Sequence, residues 1–147
     1  MSQRWCLDAG IFLATVLPDE DPALRAAART FLRQDGELVA AAVIDAEVAN
    51  ALLKAVRRGR LAQADAVAAY ALFEQLPLRR LPVMPVLGAV VAAASHLPVT
   101  AYDLVQVLVA QAHERTLVTT DAKLQRTLLG RPLASRVLLV TDWSAAV

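Results

Sequence analysis

Apolar residues are arranged along the chain in two alternating patterns. Short uninterrupted runs, typical of buried strands, occur at 5–7, 38–40, 81–84, 117–119 and 137–140. Between them apolar residues recur every three or four positions, which predicts helices over 9–17, 22–34, 44–58, 62–75, 86–95, 101–114 and 121–129. Short apolar strands that alternate with helices indicate an α/β fold with a parallel sheet covered on both faces.

Two of these elements carry more detailed expectations. Pro82 lies within the predicted strand 81–84 and places that strand at an edge or at a strand end. The inner side of the predicted helix 62–75 is expected to carry Val67, Tyr70, Leu72 and Phe73. Neither a repeat nor a low-complexity linker interrupts the pattern, so residues 1–147 are interpreted as one domain.

Composition narrows the class of protein. Hydrophobic residues make up 57% of the chain and charged residues 20%, which excludes a disordered protein. The longest run without charged residues, 81–102, contains three prolines and cannot supply the roughly 20 continuous helical residues of a membrane span. No signal peptide is evident, and a single cysteine, Cys6, excludes an internal disulfide, so a cytoplasmic location is expected.

Four acidic residues occupy comparable places in this pattern. Asp8 and Asp121 follow predicted strands, whereas Glu47 and Asp103 lie near the starts of predicted helices. Strand carboxyl ends and helix starts share one edge of such a sheet, so the four side chains can converge there. Two carboxylates about 4 Å apart repel by roughly 4 kcal/mol at an effective dielectric constant near 20, and this repulsion requires compensating cations or protons. Hard oxygen ligands of this kind favour Mg²⁺ or Mn²⁺.

Each acid taken singly also has a structural explanation. Asp8 and Asp121 precede helices, where an aspartate commonly caps the first turn. Asp103 follows Thr100 at the spacing of a capping box. Glu47 suits the first turn of its helix, where a negative charge is favourable. The grouping of all four, rather than any one of them, indicates a site.

Polar neighbours extend the candidate site. Asn50 lies three residues after Glu47, on the same helical face, and could orient Glu47 or a bound water; a place on a polar stripe explains it equally well. Gln106 stands in the same relation to Asp103, with the same two explanations. Thr120 could hydrogen-bond a ligand or cap the following helix.

Basic residues are clustered, although the formal net charge is only +1. Arg57 and Arg58 end the predicted helix 44–58, and Arg60 follows it. Basic side chains around an acidic site suit a phosphodiester substrate, and these three are candidate nucleic-acid contacts. The same cluster would also be expected at a solvent-exposed helix end that has no role in binding.

The ordered set of motifs resembles the PIN domain family, specifically the VapC-type toxin ribonucleases of type II toxin–antitoxin systems. The resemblance rests on the segments 7–9, 45–52, 102–103 and 117–121 and covers almost the whole chain. It implies a PIN-like three-layer α/β/α fold with a central parallel sheet of four to five strands. Two positions depart from the family pattern: Gly10 replaces a common serine or threonine, and Gln106 replaces a common aromatic residue.

The resemblance also implies an activity. It places the family's catalytic acids at Asp8, Glu47, Asp103 and Asp121, with the metal held by Asp8, Asp103 and Asp121. The expected function is a Mg²⁺- or Mn²⁺-dependent endoribonuclease that is a homodimer and is neutralised by a VapB-type antitoxin. Two alternatives remain: a non-catalytic PIN-fold module that binds RNA or protein, and an RNA-processing nuclease without an antitoxin.

Overall fold

The computed structural model of the protein describes residues 4–143, with the backbone alone described at residue 94. Five strands lie in this part of the chain: β1 (Trp5–Leu7), β2 (Leu38–Ala41), β3 (Leu78–Leu81), β4 (Thr116–Thr119) and β5 (Val137–Leu139). They alternate with seven α-helices: α1 (Ala9–Val16), α2 (Pro22–Leu32), α3 (Ile44–Arg57), α4 (Gln63–Glu74), α5 (Met84–Ala94), α6 (Ala101–Ala112) and α7 (Ala122–Leu128). A 3₁₀ helix covers Pro132–Arg136.

All hydrogen-bonded strand pairs in this part of the chain are parallel. One block has the order β1-β4-β5, with Leu7 opposite Val118 and Val118 opposite Leu138. A second block pairs β2 with β3, and the two blocks meet where β2 lies beside β1. The predicted central parallel sheet is therefore present as a hydrogen-bonded sheet of three strands, with a two-stranded parallel pair beside it.

Helices cover both faces of the strands, which confirms the predicted three-layer α/β/α architecture. Successive strand residues point to opposite faces, so Leu7 enters one core and Cys6 the other. The first core lies against α1 to α4 and includes Phe31 and Phe73. The second lies against α5 to α7 and includes Leu104. No helix of the described residues is both long and apolar enough to cross a membrane.

The predicted strand at 81–84 is wrong in position. The structure forms β3 at Leu78–Leu81, where Arg79 and Arg80 are exposed between two buried leucines. An edge strand can carry such charges because only part of its surface is covered, and the arginines pair with Glu37 and Asp45. Pro82 follows the strand, and α5 begins at Met84 with a proline in its first turn.

The predicted inner side of helix α4 is wrong for two of its four residues. Phe73 is buried and Tyr70 is half-buried, but Val67 and Leu72 are 65% and 56% exposed. Small residues take their place, because Ala66 and Ala69 are the side chains that face the first core. Helix α4 therefore packs closely through alanine and leaves larger apolar side chains on its outer surface.

Candidate active site

The four predicted acids come together at the carboxyl edge of the strands. Asp8 follows β1 and Asp121 follows the neighbouring strand β4. Glu47 and Asp103 lie in the first turns of α3 and α6. The four acids form a ring in which each repels two others. Asp8 is repelled by Glu47 and by Asp121, and Asp103 is likewise close enough to repel both of these residues. The sequence prediction that these residues share one edge is thus consistent with their placement.

Asp8 is the innermost member of the cluster. It precedes α1 but makes no capping hydrogen bond to that helix, so the capping explanation does not account for it. Its Oδ2 accepts a hydrogen bond from the Thr119 hydroxyl, whereas its Oδ1 is buried and has no hydrogen-bond partner among residues 4–143. Burial, with added repulsion from Glu47 and Asp121, raises the pKa of Asp8 to about 7. One buried carboxylate oxygen is therefore free to bind a ligand.

Asp121 does have a structural role as well. Its Oδ1 accepts a hydrogen bond from the Leu124 amide at 3.0 Å and caps α7. Its own amide donates to the Thr119 hydroxyl oxygen at 3.0 Å. Thr119 thus joins Asp8 and Asp121 through one hydroxyl and fixes the separation of the two strand ends.

Glu47 is held by a buried amide from the opposite layer. The Gln106 Nε2 donates to both carboxylate oxygens of Glu47, at 2.7 and 2.8 Å, and Gln106 is only 5% exposed. Partial burial raises the pKa of Glu47, the Gln106 hydrogen bonds oppose that effect, and repulsion from Asp103 adds to it. Gln106 therefore fixes Glu47 in place and favours its charged form.

Asp103 is half-buried at the start of α6. The Thr100 hydroxyl accepts a hydrogen bond from the Asp103 amide at 3.1 Å, so Thr100 caps this helix. The predicted reciprocal bond, from the Thr100 amide to the Asp103 carboxylate, is not among the hydrogen bonds of the described residues. Burial, together with repulsion from Asp121, raises the pKa of Asp103. Its carboxylate is left available at the rim.

None of the four acids forms an ion pair with a cationic side chain of the described residues. The ion pairs there join Arg60 to Asp19, Arg79 and Arg115 to Glu37, and Arg80 to Asp45. Over residues 4–143, no three acidic, histidine or cysteine side chains already surround one point as metal ligands would. Hydrogen bonds to protein donors hold Glu47 and Asp121 in their present positions, while the unpartnered Oδ1 of Asp8 is a suitable oxygen ligand for a hard cation. Metal binding stays a prediction.

The polar residues that contact the acids are not the supporting residues that the sequence predicted. Asn50 is exposed on α3, beside Glu47 in the wall of an open cleft, and the amide that contacts Glu47 is that of Gln106 instead. From the sequence, Gln106 is a candidate neighbour of Asp103, but the structure shows that it binds Glu47, and it is the only polar residue in the buried stretch 104–107 of α6. Thr119, which was not among the predicted site residues, is a wholly buried hydroxyl at a strand end.

Thr120 lies against Gly10 at the start of α1. A Cβ atom at residue 10 would lie well within the van der Waals contact distance of the Thr120 hydroxyl oxygen and 3.2 Å from Asp8 Oδ1. The Thr120 hydroxyl therefore fills the space that a side chain at position 10 would need. Gly10 is explained by this close approach, and a hydroxyl is still present beside Asp8.

The three predicted nucleic-acid contacts lie at the far end of α3. Arg57 and Arg58 are exposed, whereas Arg60 binds Asp19 through two hydrogen bonds of 2.7 and 2.8 Å. Arg57 is ten residues beyond Glu47, which corresponds to roughly 15 Å along a helix. Any contact of these arginines with a substrate would therefore be distant from the acids.

Comparison with solved structures shows the same fold in several proteins. PAE2754 from Pyrobaculum aerophilum is 23% identical, with a TM-score of 0.68 over 95% of this chain and 91% of its own. FitAcB from Neisseria gonorrhoeae is 20% identical, with a TM-score of 0.60 over 92% of this chain and 95% of its own. FitAB bound to an IR36 DNA fragment is 18% identical, with a TM-score of 0.55 over 95% and 97% of the two chains.

Comparison with curated proteins finds no significant sequence match. The family model of the PIN domain does match, over residues 5–128. That range includes all four acids of the cluster and every element from β1 to α7. The chain therefore belongs to the PIN domain family.

Proposed function

We propose that the protein is a Mg²⁺- or Mn²⁺-dependent endoribonuclease that hydrolyses RNA phosphodiester bonds. The observation that carries the proposal is the ring of four carboxylates at one sheet edge without an ion-pair partner among the described residues. Structural roles do not explain the whole ring, because Asp8 has a buried oxygen without a partner. PIN domains are generally nucleases, which agrees with this assignment.

Asp8, Asp103 and Asp121 would hold the metal. When bound, Mg²⁺ or Mn²⁺ supplies charge stabilisation at the phosphoryl oxygens and lowers the pKa of water. Asp8 would contribute its free Oδ1, which is the buried oxygen without a partner. Asp103 would contribute a carboxylate that no helix cap occupies, and Asp121 would contribute its second oxygen, because Oδ1 caps α7.

Glu47 would orient the attacking water or add a further ligand. Gln106 keeps both Glu47 oxygens in one orientation, which would hold that carboxylate in a fixed place at the edge of the ring. Thr119 holds Asp8 by its Oδ2 and leaves Oδ1 directed elsewhere. The roles of Thr119 and Gln106 are therefore positional.

The biological setting proposed is that of the toxin of a toxin–antitoxin pair. The motifs that resemble VapC-type toxins support it, and so does the fold shared with FitAcB and with FitAB. On this proposal a VapB-type antitoxin neutralises the enzyme in the cytoplasm, and the active form is a homodimer. One of the similar structures, FitAB, is bound to a DNA fragment, whereas RNA is the substrate proposed for this chain.

Cleavage of a structured RNA mixture tests the activity directly. Purified protein is incubated with Mg²⁺, with Mn²⁺ and with a chelator, beside the variants Asp121→Asn and Asp65→Asn. Asparagine keeps the capping ability of residue 121 and removes only its charge, so α7 should stay intact. Asp65 is exposed in the first turn of α4 and serves as the matched control.

Metal-dependent cleavage that is lost in Asp121→Asn and retained in Asp65→Asn is the expected result. Equal cleavage by wild type and Asp121→Asn would overturn the assignment of the site. Absence of cleavage by every protein, without any metal-dependent rise in melting temperature, would favour the non-catalytic PIN-fold module.

A further inference from the structure

An open cleft adjoins the acidic ring on the side of α3. Its volume is about 380 Å³, and its wall includes Glu47 together with Asn50, Lys54 and Tyr102. Ligand pockets in proteins are typically roughly 300–1,000 Å³, so the cleft is large enough for a small ligand group. Because Glu47 belongs both to the ring and to this wall, a group bound here would lie next to the proposed reaction centre.

The residues that line the cleft differ in chemistry. Glu47 and Asn50 are three residues apart on α3, and Lys54 follows Asn50 by four, so all three share one helical face. Tyr102 also lines the cleft and is 64% exposed, although it directly precedes Asp103. The apolar part of the lining includes Val43 and Ala46. An exposed aromatic residue, an amide and an ammonium group thus line one partly apolar cleft.

These groups match the parts of a nucleotide in single-stranded RNA. An aromatic ring stacks on any nucleobase because every base has a π face. An amide can hydrogen-bond a base edge that is free of pairing, and an ammonium group can contact a backbone phosphate. Lys54 lies about two helical turns from Glu47, closer than Arg57, Arg58 or Arg60.

We propose that this cleft binds the nucleoside next to the cleaved phosphodiester, with Tyr102 stacked on the base, Asn50 at the base edge and Lys54 on a flanking phosphate. The choice of RNA as ligand rests on the proposed ribonuclease function. The ligand is single-stranded because a base inside a duplex has both faces stacked and its pairing edge occupied, and so offers neither to Tyr102 and Asn50.

Binding of a fluorescently labelled single-stranded RNA tests the proposal without any cleavage. Anisotropy is measured with Mg²⁺ present, at several salt concentrations, for Asp121→Asn and for the same protein carrying Tyr102→Ala, Tyr102→Phe, Lys54→Gln or Arg29→Gln. Arg29 is exposed on α2, outside the cleft, and is the matched control for the loss of one positive charge.

The variants should separate the two kinds of contact. Tyr102→Ala should weaken binding by roughly 5- to 150-fold at every salt concentration, and Tyr102→Phe should retain it. Lys54→Gln should lower the slope of log affinity against log salt by about 0.7, the amount expected for one single-strand phosphate. Arg29→Gln should leave both quantities unchanged.

Undetectable RNA binding, or equal binding by Tyr102→Ala and its parent, would overturn the cleft assignment even if the wild-type enzyme cleaves RNA. Conversely, Tyr102-dependent binding in the Asp121→Asn background, together with no cleavage by the wild-type protein, would support the cleft assignment and overturn the ribonuclease proposal. In an active enzyme, Tyr102→Ala should raise KM more than it lowers kcat, because stacking holds the substrate in its ground state as well.

Discussion

At the scale of single residues, Asp8 links the chemistry of the site to the stability of the protein. Its pKa is raised to about 7 from an ordinary value of 3.8. Between about pH 4 and about pH 7, a carboxyl group with a raised pKa binds more protons in the folded protein than in the unfolded chain. The free energy of unfolding therefore falls as pH rises from about 4 to about 7. The shift in pKa corresponds to a decrease in the free energy of unfolding on the order of 4 kcal/mol at most. The pKa values of Glu47 and Asp103 are raised as well and act in the same direction.

Replacing Asp8 by asparagine should therefore flatten this pH dependence. In chelator, the wild-type free energy of unfolding should be lower at pH 8 than at pH 5, and Asp8→Asn should gain stability at pH 8 by a few kcal/mol. Urea unfolding at the two pH values measures the difference. Asp65→Asn, which changes an exposed acid, should keep the wild-type slope; an equally steep slope in Asp8→Asn would show that other groups cause it.

The contact of Gly10 with Thr120 yields a second prediction for single residues. Gly10→Ala should destabilise the protein by about 1–3 kcal/mol, because the new methyl group displaces the Thr120 hydroxyl. In the Thr120→Ala background the same change should be neutral or stabilising. Thermal unfolding of the four proteins gives the coupling energy, expected to exceed about 1 kcal/mol.

A matched control is available for that cycle on another helix. Gly88 lies exposed in α5, and apart from its chain neighbours and the nearby backbone of its own helix, no atom of the described residues lies within 4 Å of an added Cβ atom. Gly88→Ala should stabilise the protein by about 0.5–1 kcal/mol in either background, through helix propensity alone. Additive effects of Gly10→Ala and Thr120→Ala would contradict the close contact.

At the scale of the elements, α6 carries a polar residue inside its buried face. Gln106→Leu keeps the volume of that side chain and removes the only side-chain donor to Glu47 among the described residues. The loss of hydrogen bonds to a charged group should lower the free energy of unfolding, measured in urea at pH 8, by about 1–3 kcal/mol. The decrease should be smaller at pH 5, because Glu47 without its donor takes up a proton more readily. Gln111→Leu, on the exposed side of the same helix, should change stability by less than about 0.5 kcal/mol.

Elements also differ in how far the sequence determines them. Helix starts with local signals were predictable, as at Asp21, whose side chain caps α2 ahead of Pro22. Strand β3 was not, because its two central arginines are acceptable only at a sheet edge next to the acids that pair with them. The acids of the site were predictable from their places after strands and at helix starts. The bond between Gln106 and Glu47 was not, since it joins residues 59 positions apart across the sheet edge.

At the scale of the whole molecule, the four acids come from both helical layers. Asp8 and Glu47 belong to the side of α1 and α3, and Asp103 and Asp121 to the side of α6 and α7. Two of their repulsions, between Asp8 and Asp121 and between Glu47 and Asp103, therefore act between the layers at one edge of the strands. A cation bound among them would reverse the sign of that interaction and hold the two layers together.

Divalent metal should accordingly stabilise the entire fold. A metal at about a hundred times its Kd adds about 2.7 kcal/mol to the free energy of unfolding, which for a domain of this size corresponds to a rise in Tm of roughly 5–10 °C. Scanning calorimetry with Mn²⁺ and with chelator measures that rise. Asp103→Asn should lose most of it while its metal-free Tm stays level or increases, because one repulsive charge is gone. Asp65→Asn should show the full wild-type rise. An equal rise in Asp103→Asn would place the bound metal away from the ring, and the four acids would then need another explanation for their proximity.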